Sequence, residues 1–504
     1  MPRSSVTRTM EPAGSMFFWA FALFLLSAPL YKAGNRPLPI LLLELGGLGL
    51  LASLFIPGSR VSLPKTLWAA LAILLIYPLI QLIPLSASLW NSAPGHSIYA
   101  PVLDRFVPGD IPVWRSLSIV PWLTEYGWLA MIPVAACLLA TLRLSPEQVA
   151  RLLLIMSVFA GAEALLGLLQ VGSGESIFYL RNDKNLGTAI GTFVNRNHFA
   201  ALLAMTLPVV VGLLVFDERP GRRRQKRQRE AKSEDFARRT LLFACAVLML
   251  ICIFFTRSRA GIGTALVALA CSAIVLVRAR AAVSGTSRTR MASYLVFLLV
   301  IAAVVLSIMI GVAPILERLE PEALRLSTDD RMAMYQGTIR AAIDFLPFGS
   351  GLSTFSYVFP KYQLDAGFGA FVPFAHNDYL QAFLELGLAA PLAIGLLLYV
   401  YASRMIQLLR REGGRSFTLL QLAAGVGMLP LVLHSLFDFS LHIPADAMWF
   451  ATLAGVMLHP GVAADEHRES EVPRQVPKVA PAEPSVPFVS TYLEEMPTDD
   501  HLKR

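Results

Sequence analysis

The sequence predicts an all-α polytopic membrane protein with about twelve transmembrane helices. Of its 504 residues, 55% are hydrophobic and only 15% are charged, whereas about a quarter of the residues of a soluble protein are charged. Apolar runs of about 17–25 residues recur along the chain, each long enough to cross a hydrocarbon core of about 30 Å as a helix. These observations exclude a soluble fold, and the net charge of +8 reflects basic loops rather than a nucleic-acid partner.

The candidate spans are apolar runs separated by polar or basic segments. They cover residues 16–32, 38–56, 67–85, 122–142, 149–171, 198–216, 240–256, 260–277, 292–315, 377–403, 417–436 and 444–460. The first run follows Arg3 and Arg8 and could pass for a signal peptide. Because another apolar run follows almost immediately, we interpret it as the first transmembrane helix.

The basic loops predict the orientation of the chain. With twelve spans, the basic segments 219–239, 278–290 and 404–415 fall on one side together with both termini, and the positive-inside rule makes that side cytoplasmic. The predicted division is a cytoplasmic N-terminus (1–15), transmembrane helices 1–9 (16–316), a large external loop (317–375), transmembrane helices 10–12 (376–460) and a cytoplasmic tail (461–504). The Pro-, Glu- and Val-rich composition of the tail predicts disorder.

The external loop contains one predicted helix, from Asp329 to Leu346, with Asp329 or Asp330 as its N-cap. An apolar stripe with helical spacing supports this helix and consists of Met332, Tyr335, Ile339, Ala342 and Ile343. The segment PFGSGLSTF, Pro347 to Phe355, then follows. No strand precedes its glycines and no βαβ unit surrounds them, so we interpret it as a turn rather than a dinucleotide-binding loop.

Four arginines lie on the predicted outer side, against the positive-inside rule. Arg257 and Arg259 occupy the short TRSRAG turn between two spans, Arg196 precedes another span in GTFVNRNHFA, and Arg331 lies in the loop helix. Guanidinium groups bind phosphate oxygens in a bidentate geometry, and the helix N-terminus beside the turn also favours anions. We therefore predict an anionic ligand, with snorkelling towards lipid phosphates as the alternative.

Two asparagines flank Arg196 at the mouth of the same span. Asn195 and Asn197 suit either of two roles, as a helix cap or as part of a ligand site. Asn197 as the cap is compatible with Arg196 as a donor to the ligand, and both interpretations stay open at this point.

His376 precedes the span that begins HNDYLQAFLELG. Asp378 is the predicted N-cap of that helix, and Asn377, Asp378, Gln381 and Glu385 form one polar stripe. A carboxylate within a span should face the bundle interior, so we expect Glu385 to be buried against a neighbouring helix. His376 stands before the cap and is free to act as a base on a ligand at the outer face, with a purely structural interfacial histidine as the alternative.

The last external turn, HSLFDFSLHIP, contributes His434, Asp438 and His442. Two histidines with a carboxylate between them could suggest a metal, but no third close ligand is present, so no metal is predicted. The four cysteines lie in apolar runs without ligand-like spacing, and we interpret them as small buried hydrophobic residues. No cofactor is predicted.

The order of these motifs resembles a known family. GTFVNRNHFA, TRSRAG, a long external loop that contains DDR and closes on Pro347 to Phe355, then AHNDYLQ and SLFDF, are similar to the O-antigen ligase and O-antigen polymerase (Wzy-type) superfamily. The resemblance covers roughly residues 150–460. The N-terminal spans fit only by hydropathy.

The resemblance implies a metal-independent glycosyltransferase of the GT-C type on the periplasmic face of the bacterial inner membrane. Its large periplasmic loop would contain short helices. Its donor would be a glycan linked to undecaprenyl pyrophosphate, and its acceptor a glycan, a lipid A core or a protein. The resemblance places pyrophosphate binding on arginines and the acceptor near a loop histidine, which here are Arg196, Arg257, Arg259, Arg331 and His376.

The chemistry of these residues suits an inverting transfer. His376 would deprotonate the acceptor hydroxyl, and Arg257 and Arg259 would stabilise the departing pyrophosphate. Arg196, Arg331, Asn195 and Asn197 would bind the donor, and the supporting residues would be Asn377, Asp378 and Asp438. Ligase and polymerase share these motifs and are not separated by the sequence. A transporter of a small anion is the competing class, although such proteins place charged sites near the bilayer midplane and use internal repeats.

Overall fold

The computed structural model describes residues 12–54, 63–105, 114–173, 187–215, 225–282, 321–363, 371–410 and 416–461. These segments belong to one compact unit. The predicted span at 292–315, the N-terminal residues 1–11 and the predicted tail from 462 onward lie outside the described residues.

Helices dominate the described chain. Up to the basic segment 219–239, the helices are α1 (Pro12–Ser27), α2 (Pro37–Ser53), α3 (Lys65–Gln81), α4 (Ala87–Ser92), α5 (Ala100–Asp104), α6 (Pro121–Leu129), α7 (Met131–Arg143), α8 (Pro146–Ser173) and α9 (Arg196–Val215). The later helices are α10 (Gln225–Phe255), α11 (Arg259–Ala282), α12 (Pro321–Asp344), α13 (Phe355–Val358), α14 (Asp378–Leu386), α15 (Ala389–Arg410), α16 (Ser416–His434) and α17 (Pro444–Leu458). Two short strands, β1 (Pro84–Ser86) and β2 (Trp114–Ser116), pair antiparallel with Leu85 opposite Arg115.

The predicted class of a mostly helical membrane protein is confirmed. Within the described residues, six helical segments are long and apolar enough to cross a membrane, namely α6 with α7, α8, α9, the later part of α10, α15 and α16. Shorter apolar helices occupy the other predicted spans that the structure describes, and these are α1, α2, α3, α11 and α17. The total of twelve transmembrane helices stays a prediction.

The core of the helix bundle is built around α9. Within α9, 94% of the apolar window Arg196–Leu214 is buried, against 17% for the window of α15. Helices α8, α10, α11, α16 and α17 all contact α9. The backbones of α9 and α16 approach closely, because a Cβ on Gly427 would lie 2.6 Å from the carbonyl oxygen of Met205. Helix α9 is therefore the central element, and α15 is a peripheral one.

The single span predicted over 377–403 is wrong, because the structure divides it into α14 and α15. Gly387 adopts φ +56°, which ends α14, and α15 begins two residues later. The turn that precedes α13 binds this break, with Gly351 N–H donating to the Glu385 carbonyl at 3.0 Å and Leu388 N–H to the Pro347 carbonyl at 3.0 Å. Hydropathy did not reveal the break because one glycine leaves the apolar run intact.

The predicted loop helix exists, but its start and its buried face differ from the prediction. Helix α12 begins at Pro321, so an N-cap at Asp329 or Asp330 is wrong. The buried side chains are Met334, Thr338, Ala341, Ala342 and Phe345, whereas Met332, Ile339 and Ile343 are exposed. The face is set by tertiary contacts with α14 and with the 359–362 turn, which the local spacing of apolar residues does not encode.

A second, smaller hydrophobic core lies apart from the core of the bundle. It joins the segment that contains β1, α4 and β2 to the buried face of α12 and to α14, through residues that include Trp90, Ile119, Phe345, Phe355 and Leu384. Trp90 donates from its indole nitrogen to the Ser116 carbonyl at 2.9 Å. This core fixes α12 beside α14, and that placement determines the site described next.

Candidate functional site

Asp438 lies at the centre of a polar cluster in the turn between α16 and α17, and its side chain is only 1% exposed. Its Oδ1 faces Nδ1 of His376 at 3.1 Å and accepts from the Phe439 N–H at 3.0 Å. Its Oδ2 accepts from the side-chain amide of Asn197 at 2.7 Å. Nε2 of His198 lies 3.7 Å from Oδ1, which is an electrostatic contact rather than a hydrogen bond. Segments distant in sequence therefore converge on one carboxylate.

The neighbouring imidazoles control the charge of Asp438. Burial favours its neutral form, but His198 and His376 beside it outweigh burial and hold the pKa of Asp438 well below its usual range. Any stability that this ionised carboxylate contributes is present above about pH 4 and is lost only as the pH falls through its lowered pKa. Asp438 therefore stays ionised throughout the neutral range.

His376 is held from its backbone as well as from its ring. Its φ of +51° lies in the left-handed region, which is uncommon for a residue other than glycine. The Tyr335 hydroxyl of α12 donates to the His376 carbonyl at 2.9 Å. The His376 side chain is 33% exposed, and in the described part of the chain no group hydrogen-bonds to its Nε2. Asp438 thus engages Nδ1, and Nε2 remains available for a ligand.

The start of α9 lies against the same carboxylate. Asn195 accepts the Asn197 N–H at 2.9 Å through its side-chain oxygen, so Asn195 caps the helix. The interpretation of Asn197 as the cap is therefore wrong, since its side chain donates to Asp438 instead. Arg196 lies between them, half-buried, at the first position of α9.

The TRSRAG turn brings two more arginines to the start of α9. Arg257 has φ +53°, and Ser258 caps α11 by accepting the Gly261 N–H at 3.1 Å. Gly261 packs directly on Ala200, in the first turn and a half of α9, where a Cβ would clash. Arg257 and Arg259 therefore lie beside the segment that carries Arg196 and Asn197.

Arg331 reaches the cluster from α12, one helical turn before Tyr335. Burial raises the pKa of Tyr335, while the nearby guanidinium of Arg331 opposes that shift and Asp438 adds to it. These influences place Arg331 and Tyr335 on the side of α12 that faces the His376 segment and the Asp438 turn. All four predicted arginines are thus at the end of the bundle where His376 lies.

A second histidine–aspartate pair joins the same two segments in the opposite sense, with the aspartate at position 378 and the histidine at position 442. Nδ1 of His442 lies 2.7 Å from Oδ1 of Asp378, and the Leu441 N–H donates to Asp378 Oδ2 at 3.1 Å. The predicted N-cap role of Asp378 is wrong, because Asn377 accepts the N–H groups of Tyr379 and Leu380 at 3.0 Å each. Asp378 is instead drawn to the 440–442 turn. The two pairs join the segment before α14 to the turn before α17.

Glu385 is buried, as predicted, but its partners are backbone groups of a turn rather than a neighbouring helix. It accepts the Ser353 N–H at 2.8 Å and the Phe355 N–H at 3.2 Å. The Gln381 side chain donates to it at 3.0 Å. The polar stripe of α14 therefore ties the PFGSGLSTF turn to the helix that follows His376.

Sequence reasoning missed several residues of the cluster. Phe439 packs its ring against His376 and His198 at centroid distances of 4.9 and 4.7 Å, and stacks on Phe374 at 4.2 Å. For Tyr335, the sequence indicates only a place in an apolar stripe. The repeated aromatic residues beside histidines in PFAHND and DFSLH were the available signal. Among the described residues, no group of three or more His, Cys, Asp or Glu side chains could hold a metal ion.

A family model matches part of the chain. No curated protein matches the chain. The family model of O-antigen ligase, Wzy_C, matches residues 244–400, which include the TRSRAG turn, α12 and the His376 segment. The GTFVNRNHFA segment and the Asp438 turn lie outside the matched residues. This match supports the resemblance to the O-antigen ligase and polymerase family over residues 244–400.

Proposed function

We propose that the protein is an inverting membrane glycosyltransferase that moves a glycan from an undecaprenyl-pyrophosphate carrier to an acceptor hydroxyl. The observation that carries the proposal is the His376–Asp438 pair, whose exposed imidazole lies at the bundle end where four arginines converge. A base beside a concentration of fixed positive charge suits transfer from a pyrophosphate leaving group.

His376 is the proposed general base. Asp438 is ionised and faces Nδ1, so it favours the tautomer with the proton on Nδ1. Nε2 is then an unprotonated acceptor on the accessible side of the ring. The left-handed backbone of His376 is maintained by the Tyr335 hydroxyl bound to its carbonyl, and such a locally unfavourable conformation is typical of functional residues.

Arg257, Arg259, Arg196 and Arg331 are the proposed donor-binding groups. Their guanidinium groups fit phosphate oxygens, and three helices, α9, α11 and α14, begin at the same end of the bundle. Arg257 also has a left-handed backbone, which turns it out of the line of α10. In this proposal, the fixed positive charges of the arginines stabilise the negative charge that develops on the departing pyrophosphate.

The proposed reaction is one displacement. His376 Nε2 takes the proton of the acceptor hydroxyl while the acceptor oxygen bonds to the anomeric carbon. The bond between the anomeric carbon and the phosphate oxygen breaks, and its electron pair leaves with the carrier pyrophosphate. The arginines neutralise the added negative charge, and the imidazolium formed on His376 is stabilised by Asp438. The anomeric configuration inverts because attack and departure occur on opposite faces.

The proposal places the site on the periplasmic face of the bacterial inner membrane, because the described basic residues Arg239 and Arg404, in segments predicted to be cytoplasmic, bind carbonyls at the other end of the bundle. The acceptor is a growing glycan, a lipid A core or a protein. A deletion strain separates these classes through its glycan profile. Single units retained on the acceptor without polymer indicate a polymerase, and carrier-linked polymer that accumulates unattached indicates a ligase.

The same strain tests the reaction class. Complementation with the wild-type gene should restore the glycan, and Arg259→Ala should not. Arg259→Lys discriminates between charge and bidentate geometry, because lysine keeps the charge without the planar fork. A deletion strain with an unaltered glycan profile and unaltered carrier-linked intermediates would contradict the proposed function.

A further inference from the structure

Gln381 connects His442 to the segment of the proposed base. Oε1 of Gln381 accepts the N–H of Ala375, the residue before His376, at 3.0 Å. The amide nitrogen of Gln381 lies 3.0 Å from Glu385 Oε1 and 3.1 Å from His442 Nε2. We propose that His442 is a positioning residue for His376, and that only its neutral ring holds the His376 segment in place for proton transfer. The inference rests on the proposed role of His376 as the base.

The orientation of Gln381 follows from its partners. A backbone N–H can only donate, so the Ala375 contact requires the amide oxygen at that position. The amide nitrogen must then point towards the carboxylate of Glu385 and the His442 ring, and a carboxylate is a suitable acceptor for it. Gln381 is 2% exposed, so water cannot substitute for a lost partner. The direction of this amide is fixed at both ends.

This orientation determines the state of the His442 ring. Nε2 faces an N–H donor of Gln381 and can accept from it only when Nε2 carries no proton. The ring's one proton is then on Nδ1, which donates to Asp378 Oδ1 at 2.7 Å. Asp378 also accepts the Leu441 N–H, which holds the carboxylate in place. The neutral Nδ1–H tautomer satisfies every one of these contacts.

Protonation of His442 breaks the connection. An added proton on Nε2 would face the Gln381 amide donor, and rotation of that amide would relieve the repulsion. Rotation would set the amide nitrogen against the Ala375 N–H and the amide oxygen against the Glu385 carboxylate. The hydrogen bond to Ala375 is lost, and the adjacent His376, which has a left-handed backbone, is released on that side. His376 then loses the geometry that its reaction requires.

Several ionisable groups face His442 or its neighbours. Asp378 and Glu385 come from α14, His376 and Asp438 from the adjoining loop and turn, His434 from the end of α16 through Ser440, and Asp446 from α17. Burial opposes a charged ring, but Asp378 and Glu385 outweigh it and raise the pKa of His442. The two carboxylates therefore favour the protonated ring of His442. Asp438 stays ionised in the neutral range.

The pH profile of transfer tests this role. The assay uses the purified full-length protein and detergent-solubilised membranes of the deletion strain, which hold both donor and acceptor. In the wild type, two protonations contribute to the acid limb, so the slope of log rate against pH approaches about two. His442→Gln, which cannot titrate, should reduce the slope to about one and extend activity to lower pH. Asp378→Asn should move the limb in the same direction, because it removes a charge that favours the protonated ring.

A purely structural role for His442 predicts a different result. Both variants would then lose activity by the same factor at every pH, with the slope and midpoint of the wild type retained, and this outcome would overturn the proposal. If both variants are inactive at every pH, hydrogen exchange of the wild-type protein tests the proposal instead.

Hydrogen exchange of residues 371–378, corrected for the intrinsic pH dependence of exchange, reports the Ala375 hydrogen bond directly. We expect its protection to fall about tenfold or more from about pH 8 to about pH 5, while a peptide of α17 keeps its protection. Constant protection at 371–378 would overturn the coupling. This measurement needs no substrate, so its failure differs from a failure of the proposed transfer reaction, which His376→Ala tests.

Discussion

At the scale of single residues, Asp438 determines what His376 can do. Its Oδ2 is taken by the Asn197 amide at 2.7 Å, and its Oδ1 is left for His376 and the Phe439 N–H. The side-chain nitrogen of Asn197 can only donate, so the atom of residue 438 that faces it must be an acceptor oxygen. The remaining side controls the tautomer of His376.

Replacement of Asp438 by asparagine should therefore produce an inactive tautomer. With the oxygen of the introduced amide on Asn197, its nitrogen would face the Phe439 N–H, which loses its acceptor, and would donate to His376 Nδ1, which forces the ring proton onto Nε2. We expect the transfer rate of Asp438→Asn to fall on the order of 10²–10⁴-fold with little change in KM. Rates with extracted carrier-linked glycan measure this effect.

The matched control is the double variant Asn197→Asp with Asp438→Asn, which exchanges the amide and the carboxylate. The amide at position 438 then donates to the carboxylate at position 197 and presents its oxygen to His376, so the active tautomer returns. Recovery of at least about tenfold over the single variant is expected from the size of the tautomer effect. A single variant within a few-fold of the wild-type rate would show that Asp438 does not orient the base.

Local sequence patterns were sufficient to identify His376 and the arginines as candidates, because their positions beside predicted spans were visible in the chain. The partners of those residues were not visible. Asn377 and Asp378 are both good N-cap residues, and only the His442 ring, 64 positions away, draws Asp378 out of that role. The choice between equivalent local roles is made by tertiary contacts.

At the scale of elements, the break between α14 and α15 positions the site. Gly349 and Gly387 have φ of +77° and +56°, and each lies against the backbone of the other's segment. The Glu385 carboxylate then accepts two N–H groups of the same turn. This packed turn sets the direction of α14 and hence of the His376 segment at its start.

Gly349→Ala should destabilise the protein. The new Cβ would clash with the Glu385 carbonyl, and alanine is strained at positive φ, so we expect a loss of more than about 1 kcal/mol. The control is Gly395→Ala in α15, where a Cβ meets no atom within 4 Å and helix propensity favours alanine by about 1 kcal/mol. Thermal unfolding in detergent compares them, and equal midpoints would contradict this role of Gly349.

The sequence predicts these elements correctly where the apolar pattern is periodic or the apolar run is long. Apolar runs located helices in each predicted span that the structure describes. They did not locate the division at Gly387, because hydropathy is averaged over a window of many residues and a single glycine hardly changes the average. They also gave the wrong buried face for α12, since that face depends on which elements pack against it.

At the scale of the whole molecule, the two ends of the bundle differ in chemistry. At the end opposite His376, arginines bind the carbonyls of helix C-termini: Arg143 donates to Ser53 O, Arg239 to Leu214 O and Arg404 to His459 O. Cations stabilise helix C-termini. At the other end, helix N-termini, arginines and His376 meet. This difference matches the predicted orientation, with the basic loops in the cytoplasm.

Cysteine labelling tests that orientation. Arg340 in α12 and Arg410 at the end of α15 are both exposed, and Cys137, Cys245 and Cys252 are buried. In a Cys271→Ala background, a membrane-impermeant maleimide should label Arg340→Cys in intact spheroplasts. Arg410→Cys should be labelled only after permeabilisation. The reverse pattern would place the site in the cytoplasm and contradict the proposed periplasmic reaction.

The central claim is that His376 takes the proton of the acceptor hydroxyl in a glycosyl transfer. The most direct measurement is the transfer rate of His376→Ala with carrier-linked glycan and acceptor from the deletion strain, after its folding has been checked by thermal unfolding. We expect a loss of about 10²-fold or more in rate, with the donor still bound. A folded His376→Ala variant that transfers glycan at the wild-type rate would contradict the claim.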